Sequence, residues 1–344
     1  MSITTHMQIE PGHASPSPKK KHGDVWSSPH WSAEEKFDGH RGLLHLGCGL
    51  DRGYLTGRQP TKDSNGLLSE KGQNVPHIWK RAQDCAVTDY IDYTVFDGEI
   101  LVYGSDIKGP GSSKVQAIMG ASVEKALARF KEGVVATYTI FDILFWNGED
   151  VRQKALEERR HIAKGAAIDL GLVDLNDKDC FARLAEVSQG DPRAFYEEVV
   201  ARGGEGIILK DNRSSYGEDW VKEKKEFTVD VVICGFTEAE VESKKKGDAE
   251  ATSTKYAGQI GAVEFGAYVD GKLVKIGQAS GMDDAQRLDF SNNREAYIGR
   301  AVEVKANEFT GKALRHPRFL QFRDDILPST CTLEKVKRDM KWST

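Results

Sequence analysis

The chain has 344 residues, 39% of them hydrophobic and 29% charged, and its 48 Lys and Arg against 53 Asp and Glu leave a formal net charge of −5. That length suffices for two ordinary domains with separate cores, while the mild acidity excludes a global pull on nucleic acid and leaves any such work to local basic patches. No apolar run nears the ~18 residues of a membrane span, and five scattered cysteines, without C-x-x-C or paired histidines, speak for a reducing cytoplasm and against a zinc site.

Residues 1–29 mix Ser, Pro and His with three consecutive lysines at 19–21 and lack the apolar core of a secretory signal, so they are predicted to form a disordered arm. Then comes Glu34-Glu35-Lys36-Phe37-Asp38-Gly39-His40-Arg41-Gly42, one lysine inside a K-x-D-G-x-R frame. Lysine attacks phosphorus only when its pKa is pulled down from about 10.4 by desolvation or by nearby cations. Cations elsewhere in the chain are therefore the residues to seek. Residues 43–46 and 54–56 are predicted strands, followed by Thr56-Gly57-Arg58, and residues 75–83 a short helix. Residues 93–103 are β-branched and aromatic throughout. Asp97-Gly98 in their middle fits a hairpin turn; alternatively the stretch is one strand from which Glu99 projects a carboxylate toward a partner such as a metal.

Residues 114–131 have helical character, surest from Ser122 onward, and 134–145 form a second apolar strand holding Phe141-Asp142-Ile143-Leu144. Amphipathic helices are predicted over 155–164 and 192–202, covering a sheet. In Gly203-Gly204-Glu205-Gly206-Ile207-Ile208-Leu209-Lys210 two glycines free the backbone before a strand that is charged only near its ends. The alternation in Trp220-Val221-Lys222-Glu223-Lys224 sets Lys222 and Lys224 on one side of an extended segment.

Past residue 227 the texture changes. Strands at 230–236, 260–268, 272–277 and 300–306 are separated by turns and polar loops, which predicts a small all-β domain, a five-stranded barrel. A loop carries Lys244, Lys245 and Lys246, and basic and aromatic residues interleave through Arg315, Arg318 and Arg323. Residues 266–273 mimic the start of a P-loop, but Leu273 stands where a hydroxyl must reach Mg²⁺, and the surroundings alternate as a hairpin around Asp270-Gly271.

Singly, none of these pieces decides a function; their order does. Lys36 in K-F-D-G-H-R, Arg58, F-D-G-E at 96–99, F-D-I-L at 141–144, E-G-I-I-L-K at 205–210 and W-V-K-E-K at 220–224 resemble the ordered series of the covalent nucleotidyltransferases: ATP-dependent DNA ligases, RNA ligases and capping enzymes. The final L-R-H-P-R-F-x-x-F-R resembles compact bacteriophage-type DNA ligases. The resemblance implies an α+β fold: an ATP-grasp-like nucleotidyltransferase domain over 30–227, an all-β OB-fold domain over 228–330 and a tail from 331 to 344. It implies Lys36 as the nucleophile that takes AMP from ATP, Glu34 and the backbone at Glu35 reading adenine, and Phe141 stacking on the base. Arg41 and Arg58 would hold ribose and phosphate, Lys222 and Lys224 the α-phosphate, and Glu99 and Glu205 Mg²⁺, with Mn²⁺ as a substitute. Lys222, Lys224 and the metal would then supply the cations that Lys36 requires. Arg315, Arg318 and Arg323 would divide between pyrophosphate and DNA, with Lys244, Lys245 and Lys246 on DNA, and a hinge near 225–229 would let the second domain change partners. The implied reaction is the sealing of nicked double-stranded DNA by a cytoplasmic monomer, in host cytoplasm if phage-encoded. An RNA ligase, a GTP-using capping-type enzyme and a non-catalytic nucleic-acid binder are the alternatives.

Overall fold

The β-branched runs at 94–103 and 135–146 pair along nearly their whole length and form the spine of the first of two units, Met1–Lys224 and Lys225–Thr344, in the computed structural model of this chain. The structure describes residues 9, 11–15, 22–47, 53–60, 68–86, 92–103, 111–174, 181–188, 190–239, 256, 258–280 and 282–340. Among these, no helix is long and apolar enough to cross a membrane.

In the first unit the strands are β1 (Trp31–Glu35), β2 (His40–Leu46), β3 (Tyr54–Pro60), β4 (Leu68–Glu70), β5 (Thr94–Tyr103), β6 (Val135–Trp146), β7 (Glu149–Asp150), β8 (Ala182–Leu184), β9 (Gly206–Asp211) and β10 (Trp220–Lys224). The larger sheet runs β4-β3-β2-β5-β6-β7, with β8 parallel to β6; the smaller runs β1-β9-β10, antiparallel throughout. Asp97-Gly98 is no turn: both residues lie inside β5, paired to β2 on one edge and β6 on the other. Glycine is required there by crowding, because a Cβ on Gly98 would sit 2.6 Å from the Thr139 carbonyl oxygen.

Helices cover the larger sheet as the amphipathic pattern predicts. Leu156–Asp169 buries Leu156, Arg159, Ala163, Ala166 and Ala167, spaced to share one helix face against β6. The helical region at 114–131 is two helices, Gly111–Met119 and Val123–Lys131, the second capped by Ser122. Pro192–Ala201 starts on the Asp191 cap with proline in its first turn and lays Phe195 and Val199 on the smaller sheet.

The described part of residues 1–29 is ordered, contrary to the expectation of a disordered arm. Val25 is 1% exposed in a core with Trp31, Ala33 and Ile207, and Ser15 pairs in parallel with Val221 of β10. Composition predicts disorder when a segment cannot bury apolar surface of its own; here a partner strand far along the chain supplies both the ladder and the core.

The second unit is a five-stranded antiparallel sheet ordered β13-β12-β11-β14-β17, from β11 (Phe227–Glu238), β12 (Ile260–Val269), β13 (Lys272–Ala279), β14 (Ala301–Ala306) and β17 (Arg318–Phe322). A short pair, β15 (Glu308–Phe309) and β16 (Leu314–Arg315), sets β16 against β13. The P-loop mimic is a β12–β13 hairpin whose Asp270 and Gly271 have φ of 48° and 75°, the two positive values of a type I′ turn. The described part of the tail, residues 331–340, packs on this unit. The helix Leu333–Asp339 buries Val336, Met340 joins the core around Phe265 and Phe290, and Lys335 donates to Asp230.

Candidate active site

Strand pairing places Lys36. β1 ends at Glu35, opposite Ile207, and the Lys36 amide donates to the Gly206 carbonyl at 2.8 Å, holding the lysine where the smaller sheet opens. Gly206 has φ +143°, and a Cβ there would lie 2.1 Å from the Glu223 carbonyl oxygen, so only glycine lets β9 and β10 close on this lysine. The Lys36 Nζ donates to Glu205 Oε2 at 2.5 Å and to the Phe37 carbonyl at 3.3 Å. Lys224 Nζ lies 2.5 Å from the other Glu205 oxygen. The nearest charge to Lys36 is therefore an anion shared with a second lysine, whereas the sequence directs attention to cations alone. Glu205 binds the two lysines into one cluster.

Across from this cluster, β2 and β5 set Arg41 opposite Glu99. Gly39 sits flush on Glu99, where a Cβ would fall 2.5 Å from its Cγ. Burial pushes the Glu99 carboxyl up to about 7, against the opposing pull of Arg41 and Lys36. It is thus a carboxylate short of positive charge. Asp97, two residues earlier and on the same face of β5, is fully buried and takes both Nε and Nη2 of Arg41. Burial alone would lower the Arg41 pKa, but Asp97 outweighs it and holds the guanidinium charged. The Arg41 Cζ lies 4.6 Å from the Phe141 ring centroid and 5.8 Å from Trp220, so the arginine is fixed in plane as well as in charge.

Glu34 is 3% exposed and is an ion-pair hub. Its Oε1 accepts from Arg160 Nε and Nη2 at 2.9 and 2.5 Å, and its Oε2 from Lys210 Nζ at 2.5 Å. Although burial works to raise it, Lys210 and Arg160 hold this carboxyl below its ordinary value. Lys210 Nζ also lies 4.8 Å from Phe141 and 4.3 Å from Trp220. Arg160 is anchored in turn on Ser32 and Asn212, each at 2.8 Å. The Glu35 carboxylate accepts from Arg202 at 2.7 Å.

One cleft of 510 Å³ is lined by Glu34, Glu35, Lys36, Arg41, Glu99, Phe141, Lys210, Trp220 and Lys222 together with Gly12, His13 and Ala14, while Glu205 and Lys224 stand behind Lys36 and off its lining. That volume is of small-molecule size, and its walls pair an aromatic face with cations and carboxylates. The metal expectation fits the donors present: Glu99, on the cleft lining, and Glu205, against the Lys36 Nζ, are hard oxygen ligands, and Mg²⁺ takes one or two carboxylates plus substrate phosphates. No group of three or more His, Cys, Asp or Glu that could hold a metal occurs among the described residues, and such a mixed site needs none.

Other expected residues are elsewhere. Arg315, Arg318 and Arg323 belong to the second unit, where they pair with Glu308, with Glu226, and with Asp230 and Asp325 respectively. The side chain of Arg58, lysines 19–21 and Lys244, Lys245 and Lys246 lie outside the described residues. Asp97, Lys210, Arg160, Tyr216 and the Gly12–Ala14 wall carry no assigned role in the sequence reading. Asp97 had a legible signal, as it shares strand parity with Glu99, and Lys210 another, as the last residue of E-G-I-I-L-K.

A family model described as "ATP dependent DNA ligase domain" matches residues 19–225, and another described as "DNA ligase OB-like domain" matches residues 253–323. DNA ligase 1 of Methanosarcina mazei is 25% identical across 91% of this chain and 58% of its own length. DNA ligase of Haloarcula marismortui is 29% identical across 62% of this chain and 40% of its own. The chain thus spans well under two thirds of either relative. Among solved structures, one titled "Pmar-Lig_Pre." superposes with a TM-score of 0.62 at 16% identity, covering 91% of this chain and 67% of that one. A structure from a study of Lig E DNA ligases gives 0.56 at 14% identity, covering 92% and 100%. At those identities the likeness is one of fold.

Proposed function

The chain belongs to the ATP-dependent DNA ligase family, and on that premise we propose that it seals nicks between 3′-hydroxyl and 5′-phosphate ends of double-stranded DNA through a lysyl-AMP intermediate. One observation carries the reading: Lys36, Glu99, Arg41, Phe141 and Lys222 line a single cleft sized for a nucleotide. In the first step the Lys36 Nζ lone pair attacks the α-phosphorus of ATP, a P–N bond forms, and pyrophosphate leaves with the electrons of the broken P–O bond. An oxygen of the DNA 5′-phosphate then attacks that phosphorus and frees the lysine. Finally the 3′-hydroxyl attacks the activated 5′-phosphorus, closing the backbone and releasing AMP.

The chain's own residues supply positioning and charge, the main resources of phosphoryl chemistry. Phe141 stacks on adenine, while Glu34 and the backbone at Glu35 read its edge. The Phe141 faces now carry Arg41 and Lys210, so base entry exchanges a cation–π contact for a stacking contact. Arg41 and Arg58 hold ribose and phosphate, and Lys222 and Lys224 the α-phosphate. Glu99 and Glu205 would hold Mg²⁺, with Mn²⁺ as a substitute, and the ion supplies Lewis-acid neutralisation of the phosphate charge when bound. Because Glu205 also bridges Lys36 and Lys224, it keeps the nucleophile beside the phosphate-binding lysine until ATP arrives. In the second unit Arg315 meets pyrophosphate and Arg318 and Arg323 meet DNA phosphates, as do Lys244, Lys245 and Lys246. Duplex binding is then salt-dependent and indifferent to sequence. These substrates put a monomeric enzyme in the cytoplasm, in host cytoplasm if the source is a phage.

The test is to incubate the protein with labelled ATP or GTP and Mg²⁺, then add nicked DNA. ATP-dependent labelling that chases into sealed strands is expected. Labelling by GTP alone, or sealing of nicked RNA but not DNA, would replace this reading with a capping-type enzyme or an RNA ligase.

A further inference from the structure

Residues 11–15 thread past the cleft in a way none of the motif residues requires. Ser15 donates its amide to the Trp220 carbonyl at 2.8 Å and accepts from the Lys222 amide at 2.9 Å, which adds a parallel rung to the free edge of β10. Ile9 packs on the cluster of Leu43, Val95, Leu144 and Phe145. Between these two anchors, Gly12, His13 and Ala14 form one wall of the cleft. The approach is close. A Cβ on Gly12 would lie 2.7 Å from the Gly217 Cα, and one on Gly217 would lie 3.1 Å from the Gly12 Cα. Two facing glycines, the second with φ +77°, are what let the segment lie flush on the turn before β10.

That turn carries Tyr216, and a relay of hydrogen bonds starts there. The Gly12 amide donates to Tyr216 Oη at 3.0 Å, the Tyr216 hydroxyl donates to Asp97 Oδ2 at 2.5 Å, and Asp97 accepts the fork of Arg41. The same Tyr216 oxygen lies 3.4 Å from Arg41 Nη2. A fully buried carboxylate such as Asp97 is held in place by its donors, and Arg41 takes its orientation over Phe141 from Asp97. The backbone of the N-terminal segment is thereby coupled to the guanidinium that faces the nucleotide cleft.

We propose that residues 11–15 are a working part of the nucleotide site, in which Gly12 and Tyr216 are positioning residues that orient Arg41 through Asp97 and so set affinity for ATP in the lysine-adenylation step. The inference rests on the ligase reading above and adds a determinant outside its motif series. Its consequence is specific: disturbing the seat weakens ATP binding while leaving the chemical step at Lys36 nearly untouched.

The test uses the whole 344-residue chain and three variants, Gly12→Val, Tyr216→Phe and the double. Single-turnover adenylation of Lys36 is followed against ATP concentration, with thermal melting alongside. Gly12→Val lifts the segment by steric conflict, whereas Tyr216→Phe removes only the hydroxyl, so the second reports even if the first folds poorly. Each single variant is expected to raise the KM for ATP about three- to tenfold, the loss of one or two hydrogen bonds, with kcat within about twofold. Because both act through one relay, the double variant should be no worse than the poorer single variant. An unchanged KM in Tyr216→Phe, a fall in kcat at constant KM, or additive effects in the double variant would overturn the proposal. Failure of the wild-type chain to take up AMP in the same assay would instead sink the ligase reading on which it stands.

Discussion

Substitution of Arg159 by Met should destabilise the first unit severely. Arg159 and Asp142 are both fully buried, and the guanidinium donates to the two carboxylate oxygens at 2.8 and 2.9 Å. Its Nη1 also donates to the Lys154 and Ser214 carbonyls at 2.6 and 2.9 Å. Methionine fills much of the volume but strips the Asp142 carboxylate of its guanidinium, leaving it, among the described residues, the donation from the Ile143 amide at 2.9 Å and the charge of Lys210 without a hydrogen bond from it. An uncompensated buried charge costs about 3–5 kcal/mol. For a unit of this size that corresponds to a fall in Tm of roughly 6–20 °C. Replacing both partners, Arg159→Met with Asp142→Leu, removes the stranded charge and should recover all but about 1–2 kcal/mol of the loss. Urea unfolding followed by tryptophan fluorescence reads all three stabilities. A loss under about 1 kcal/mol in the single variant, or a double variant worse than the single, would refute the reasoning. The pair also serves the site, since Asp142 pins β6 at the residue after Phe141.

Two further predictions follow from the cleft. Glu99 should titrate near 7 in the nucleotide-free protein, as measured by carboxyl NMR chemical shift; a midpoint below about 5 would contradict the burial argument. Because its folded pKa stands above the unfolded value of 4.5, protonated Glu99 favours the fold fully below about 4.5, and this contribution fades as pH rises through about 7. Gly206→Ala should cost at least about 2 kcal/mol in urea unfolding, since its φ of +143° and the 2.1 Å approach to Glu223 both oppose a side chain; retention of wild-type stability would show that β9 and β10 part without penalty.

Strands and helices of the first unit were legible because hydrophobic period and turn chemistry agree over long stretches, as in β5, β6 and Leu156–Asp169. The Asp97-Gly98 turn alternative failed because a glycine demanded by crowding against Thr139 looks, in one dimension, like a glycine demanded by a turn. Order at Val25 and Ser15 was not legible at all, since their partners lie in Phe195, Ile207 and Val221, some 170 to 210 residues away. For the site, the lysine frame and the F-D-G-E carboxylate were readable from residue type. The anion beside Lys36, the Glu34 hub and the Tyr216 relay depend on which side chains converge across strands, and no local spacing encodes that.

The central claim is tested most directly by mapping the covalent adduct. Wild-type protein incubated with ATP and Mg²⁺ should gain the mass of one AMP, fragment mass spectrometry should place it on the Lys36 Nζ, and Lys36→Ala should gain nothing. An AMP adduct on another residue, or an adduct of equal yield on Lys36→Ala, would contradict the account.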